Sequence, residues 1–333
     1  MKKSIYLSVF LGLIMLSTAQ AEDRLLNASY DIARELFQAI NPAFVEAYAA
    51  ETGKTVTIRQ SHAGSSAQAR AILQGLTADV VTFNQITDIH ALVNAGWIAP
   101  DWQQRLPNAS SPYYSLPAFL VRAGNPKGIK DWDDLVRADV SLVFPNPKTS
   151  GNGRYTYLAA WAFAQQQWPD DQAKIEDFIR RFVGNVQVFD TGGRGATTTF
   201  AERGIGDVLI TFEAEVNLIR QLHGADRFTV IVPSRSVLAE FPVAVVDRVV
   251  ARQNTQELAQ RYLQYLYSPP AQEILAGFYY RVTDPQVSAT HAKQFPSVEL
   301  LRIEEVFGSW EAAQAHFSDT GSFEQALLAA RRR

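Results

Sequence analysis

The 333-residue chain has no cysteine, no surplus of basic residues and, beyond its first two dozen positions, no apolar run of membrane-spanning length. Without cysteine there are no disulfides, so packed cores alone must hold the protein together. Acids outnumber bases by 34 to 31, a formal net charge of −3, which argues against nucleic acid, whose phosphates demand a basic face. No internal repeat or low-complexity tract is present, so the solenoid architectures are excluded, and the 47% hydrophobic content is that of a globular protein. Catalytic signatures are missing as well. There is no G-x-S-x-G elbow and no H-E-x-x-H, and the five histidines, His62, His90, His223, His291 and His316, are scattered. Neither enzyme activity nor a metal or other cofactor is expected.

What is present begins with the first 21 residues. Lys2 and Lys3 precede an apolar run from Ile5 to Leu16, and Ala19-Gln20-Ala21 supplies a small-x-small cleavage site. This pattern predicts a signal peptide cut after Ala21, and therefore an exported, periplasmic protein. Losing the two lysines makes the remainder more acidic, and that remainder is long enough for two domains of ordinary size.

Short β-rich runs recur at Leu25–Ser29, Thr55–Gln60, Ala78–Phe83, Ala118–Arg122, Val140–Phe144, Val186–Phe189, Asp207–Phe212 and Phe228–Val232. Helical periodicity fills most gaps: Ile32–Ala50, interrupted at Asn41-Pro42; Ala67–Leu76; and Leu158–Gln167, ending before Trp168-Pro169. Such alternation predicts an α/β fold with mainly parallel sheets and crossover helices. Gly/Pro turns at Val121–Gly128 and near Pro233–Pro242 suggest two crossings between domains, giving a discontinuous first lobe (22–120 plus 240–333) and a second lobe (121–239). The tail, Ser297–Trp310 and Phe323–Arg333, is expected to wrap one lobe, with Trp310 as a packing anchor and Arg331–Arg333 at an exposed end.

Ligands of open α/β sheets gather at the carboxyl ends of strands. Four strand-to-helix joints stand out: "YDIAR", "SHAGSSAQAR", "PNPKTSGNGRY" and "DTGGRGATTTF". Three of them combine small residues, which let a ligand approach the backbone, with Ser or Thr suited to capping the next helix. A helix start leaves N–H groups unpaired and partly positive, so each joint can accept an anion without a cationic side chain. Taken singly, each joint also reads as an ordinary helix cap, and His62 as a residue that holds its loop. "GNGRYT" falls short of a dinucleotide fingerprint because Thr156 stands where the third glycine would be.

At these joints the sequence resembles a known family. "LLNASYDIARELF", "QSHAGSSAQA", "ADVVTFNQ", "FLVRAGNPKGIKDWDDL", "PNPKTSGNGRYTYLAAW", "DTGGRGATTTFAERGIGDVLITFEAE", "LYSPPAQEI" and "VFGSW" together are similar to the periplasmic sulfate/thiosulfate-binding proteins of ABC importers. The resemblance implies a two-lobed type II periplasmic binding protein fold that closes on a dehydrated oxyanion and delivers it, as a monomer, to a membrane permease and its ATPase. It implies ligand contacts from the N–H of Ser65, the hydroxyl of Ser150, and the N–H groups of Gly151, Asn152 and Gly193, the last where sulfate-binding members carry Ala. Asp31, His62 and Arg194 match positions that tie these loops down.

One position departs from the family pattern. Phe212 stands where sulfate-binding members carry a Trp that donates to the anion, and Phe has no hydrogen to give. That substitution leaves sulfate and thiosulfate both open, because a terminal sulfur favours an apolar contact over a donor; Phe212 also reads simply as the last core residue of its strand. A donor-only site suits a fully ionised anion and disfavours phosphate, which keeps a proton that would need an acceptor. Another tetrahedral oxyanion such as molybdate, or a sensing module of the same fold, remains the alternative reading.

Overall fold

The computed structural model describes residues 23–331. The expected signal peptide, Met1–Ala21, and the last two arginines of the tail lie outside them. Two main sheets organise the chain. The first has strands β1 (Asp23–Ser29), β2 (Val56–His62) and β3 (Val80–Thr82), with helices α1 (Arg34–Thr52), α2 (Ser65–Leu73) and α3 (Ile86–Asn94) following them. β1 pairs in parallel with β2 and β3, and the returning strand Val243–Val245 adds antiparallel to β3.

The chain then runs through β4 (Tyr113–Ser115) into β5 (Pro117–Arg122), β6 (Leu142–Pro145), α4 (Gly151–Gln167), α5 (Gln172–Gly184), β7 (Val186–Asp190), α6 (Gly193–Thr197), β8 (Val208–Phe212), α7 (Glu213–His223) and β9 (Phe228–Ile231). These strands form the second sheet, in the order β7-β6-β8-β5-β9, with β6 parallel to β7 and β8, and β5 antiparallel to β8 and β9. Both sheets are mixed at one edge and parallel where the joints lie, which brings the carboxyl ends of the parallel strands to face each other.

Three features of the folded chain bear on these expectations. α1 runs unbroken through Pro42. Pro42 and Gln38, whose carbonyl loses its partner, are both exposed, so water can satisfy that group, while Leu36, Phe37, Ile40, Phe44 and Tyr48 keep one continuous buried stripe. The helical periodicity of Leu158–Gln167 belongs to a helix that begins at Gly151, as the joint suggests: Ser150 caps it and every residue from Gly151 to Ala164 is buried. Residues 117–122, on both sides of the boundary expected at 120/121, form the single strand β5, which pairs along its length with the second sheet.

The tail also departs from the expected grouping of residues 240–333. Phe323, in the helix Ser322–Ala330, packs edge-on to Tyr157 of α4 and Phe189 of β7, and Tyr157 Oη is 2.9 Å from Ser322 Oγ. Lys148, in the loop before α4, pairs with Glu324 at 2.6 Å. Trp310 stacks its edge on Tyr155 as an anchor. The last thirty or so residues thus strap the second sheet's helices rather than the first sheet's. The reason is packing: aromatic side chains on α4 and β7 would otherwise meet water.

Phe323 is 1% exposed within this strap. Phe323→Ala should lower unfolding stability by about 3–5 kcal/mol in urea titration, the usual cost of emptying a buried Phe. A loss below about 1 kcal/mol would show that the strap is peripheral to the core.

Candidate functional site

The seam between the sheets is where the joints meet. β1 ends in a short 3-10 turn, Asp31–Ala33; β2 leads through Gly64 into α2; β6 leads through Ser150 into α4; β7 leads through Gly192 into α6. The first two starts come from one lobe and the last two from the other. By helix geometry the leading N–H groups, those of Ser65, Gly151, Asn152 and Gly193 among them, have no acceptor inside their own helices.

Glycine makes this approach possible. A Cβ on Gly151 would sit 2.6 Å from Asn84 Oδ1 and 2.9 Å from Gln85 Cβ, and one on Gly193 would sit 2.8 Å from Ile32 Cγ2 and 3.2 Å from Asn152 Nδ2. The backbone of one lobe therefore lies directly against the other, so an alanine at 193 would require Ile32 to move.

The polar side chains divide into those already occupied and those still free to donate. The Ser65 hydroxyl donates to Asn84 Oδ1 at 2.6 Å and accepts from the Asn84 N–H at 3.1 Å, which leaves the backbone N–H as Ser65's spare donor. Ser150 Oγ accepts from the Gly153 N–H at 3.5 Å and keeps its own hydrogen to give. Asn152 donates from Nδ2 to Thr211 Oγ1 at 2.6 Å, fixing the first turn of α4 to β8. Phe212 is fully buried, edge-on to Phe241 at 5.1 Å and to Tyr155 at 6.0 Å. Its ring belongs to an aromatic layer that continues through Phe241 to Tyr30, Tyr113 and Tyr280.

Asp31, His62 and Arg194 lie around the seam. A carboxylate oxygen of Asp31 accepts the Arg194 backbone N–H at 3.2 Å, capping α6 from the opposite lobe, and the Arg194 guanidinium pairs with Glu35 at 2.6 Å. His62 Nδ1 lies 3.4 Å from the Tyr30 carbonyl, and burial holds the imidazole below its ordinary value, so the ring is neutral at neutral pH. Among the described residues no group of three or more His, Asp or Glu side chains is arranged to hold a metal ion.

Sequence reasoning missed a buried ion pair across the seam. Arg154, four residues into α4, reaches from one lobe into the other to Asp88 at 3.2 Å, Ser66 and Thr87, with side-chain exposures of 6% for Arg154 and 9% for Asp88. The pair joins positions 66 residues apart, and no local pattern announces such a meeting. Near the crossing strands, Arg281 forms a second buried pair with Glu213 at 2.7 Å. Two guanidiniums at the seam have carboxylate partners: Arg154 has Asp88 and Arg194 has Glu35.

Glu215 in α7 is a further buried acid, hydrogen-bonded by Thr197 Oγ1 at 2.9 Å. Desolvation pushes its carboxyl up to about 7, against the opposing pull of Arg194 and Thr197.

The chain matches a family described as bacterial extracellular solute-binding protein over residues 31–281. The thiosulfate-binding protein of Escherichia coli (strain K12) is 55% identical over 328 residues, 98% of this chain and 97% of that protein. The sulfate-binding protein of the same organism is 48% identical over 315 residues, 94% and 96% of the two chains. Among solved structures, the sulfate-binding protein SubI from Mycobacterium tuberculosis H37Rv superposes with a TM-score of 0.79 at 32% identity, covering 88% of this chain and 98% of its own. The architecture is the two-lobed type II periplasmic binding protein fold.

Two expectations test the site's internal electrostatics. Arg154→Met would leave Asp88 buried without its cation in the closed arrangement and should destabilise the closed protein by about 3–5 kcal/mol in denaturant; adding Asp88→Asn should recover at least half of that. Simple addition of the two losses would show that the residues do not act as a pair. Glu215 titrates near 4.5 when unfolded and near 7 when folded, so its contribution is fully present below 4.5 and is lost as pH rises through 7. Glu215→Gln should flatten the fall in stability over that interval, and an unchanged slope in denaturation midpoints against pH would contradict the assignment.

Proposed function

The chain belongs to the family of bacterial extracellular solute-binding proteins, and from that premise we propose that it captures thiosulfate or sulfate between its lobes and delivers the anion to the membrane permease of an ABC importer. The observation that carries this reading is the convergence of helix starts from both lobes, at Asp31, Ser65, Gly151 and Gly193, on one buried seam. Their free N–H groups and partial positive charge suit a dianion stripped of water. The guanidiniums of Arg154 and Arg194 are already matched by Asp88 and Glu35.

In this reading Ser65, Gly151, Asn152 and Gly193 donate from the backbone and Ser150 donates from its hydroxyl. Phe212 walls the site with an apolar ring, while Asp31, His62 and Arg194 hold the loops. Donors outnumber acceptors at the helix starts, which favours an anion that carries no proton and sets sulfate and thiosulfate apart from phosphate. The protein binds and releases rather than reacts, because Ser150 has no base beside it and His62 is turned to a carbonyl. It works in the periplasm as a monomer after a leader ending at Ala21 is removed. One lobe comprises residues 23–116 with the returning strands and helices up to about 301; the other comprises 117–237 with the C-terminal strap. Motion about the strands that link them opens the seam.

Protein freed of ligand by unfolding and refolding should bind thiosulfate or sulfate one-to-one in isothermal titration, with phosphate silent. Ser150→Ala should weaken that binding about ten- to a hundredfold, the worth of one hydrogen bond to a charged group. If neither anion bound, the helix starts would be caps and nothing more.

A further inference from the structure

Gln85 lies at the joint after β3, where it is the residue that precedes α3. It is 0% exposed, and neither Nε2 nor Oε1 has a hydrogen-bond partner among the described residues. A buried primary amide with both ends unsatisfied is rare, because each lost partner costs about 1–3 kcal/mol. Its position is equally specific. Gln85 Cβ lies against Gly151, the first residue of α4, so close that a Cβ there would sit 2.9 Å away. Asn84 beside it is committed to Ser65, through its N–H and its Oδ1. Gln85 therefore stands between the starts of α2 and α4, in the lobe opposite Ser150, and offers a free amide at the seam.

Among the described residues, the donors around that amide are engaged elsewhere. The Arg154 guanidinium is engaged by Asp88, Ser66 and Thr87, and Asn152 Nδ2 by Thr211. Phe212, buried in its aromatic layer, has no hydrogen to give.

We propose that Gln85 is an anion contact of the site, donating from its side-chain Nε2 to an oxygen of the bound oxyanion from the lobe opposite Ser150. The inference rests on the oxyanion reading of the seam and adds a side-chain donor to a set otherwise made of backbone N–H groups and one hydroxyl. An amide has a feature the backbone donors lack: its length and rotation let it follow an elongated anion such as thiosulfate as well as a compact one such as sulfate. Contact also accounts for the unpartnered amide, since an enclosed dianion gives Nε2 a charged acceptor.

The test is Gln85→Leu, which keeps volume and removes the amide, titrated with sulfate and with thiosulfate beside the unaltered protein. The expected result is about a ten- to hundredfold loss of affinity for the better-bound anion. The melting temperature of ligand-free Gln85→Leu should be unchanged or higher, because replacing an unpaired buried amide with an apolar group of similar shape removes a penalty. A merely structural Gln85 gives the opposite pattern, a lower ligand-free melting temperature with affinity kept within about twofold, and that pattern overturns the proposal. Gln85→Glu supplies an independent readout: a carboxylate facing a dianion should depress affinity at neutral pH further than Leu does. Equal affinities for Gln85→Glu and the unaltered protein would likewise overturn it. If the unaltered protein binds neither anion, the oxyanion reading fails first; if it binds and both variants bind equally well, the contact alone fails.

Discussion

A buried backbone N–H without an acceptor is among the most expensive things a folded chain can carry, and this fold directs the leading N–H groups of four helical starts into one seam. Much else in the structure can be understood as accommodating that arrangement. Gly151 and Gly193 let backbones approach without side chains between them. Ser150 caps α4 while keeping a hydrogen free. Asp31 reaches over from the other lobe to satisfy the Arg194 N–H, one residue past Gly193, so the next donor along α6 is taken.

The same constraint explains why the charged side chains around the seam come in pairs. A free guanidinium there would bind anions without discrimination and, buried alone, would be costly to hold. Arg154 with Asp88 and Arg194 with Glu35 instead bridge the lobes, so charge is spent on alignment and the dipoles are left to meet the ligand. The aromatic layer of Phe212, Phe241, Tyr30, Tyr113 and Tyr280 keeps water from the region behind the joints, and its hydroxyls satisfy one another, Tyr30 donating to Tyr280 at 2.9 Å. Desolvation holds these phenols neutral far above physiological pH.

The strands and the joints were legible in the sequence because both are written locally. β-rich runs bounded by Gly, Ser and Asn mark where a parallel strand ends and a helix begins, and that is where Ser65, Ser150 and Gly193 lie. Pro42 misled because its helix-breaking tendency is local, whereas the stripe of Phe37, Ile40 and Phe44 against the core is tertiary and prevailed. Which sheet the C-terminal strap grips and the Arg154–Asp88 pair were illegible for one reason: each depends on residues brought together from distant parts of the chain. Gln85 was hidden differently. Its residue type is ordinary in a loop, and only burial without a partner marks it out.

The central claim is that backbone N–H groups of the helix starts hold the anion, and amide resonances of the protein labelled with nitrogen-15 report on it most directly. Titration with thiosulfate or sulfate should shift the amide protons of Ser65, Gly151, Asn152 and Gly193 downfield together, saturating at one equivalent, as new hydrogen bonds to a dianion form. Saturable binding that left those four resonances in place would place the ligand elsewhere and contradict the account.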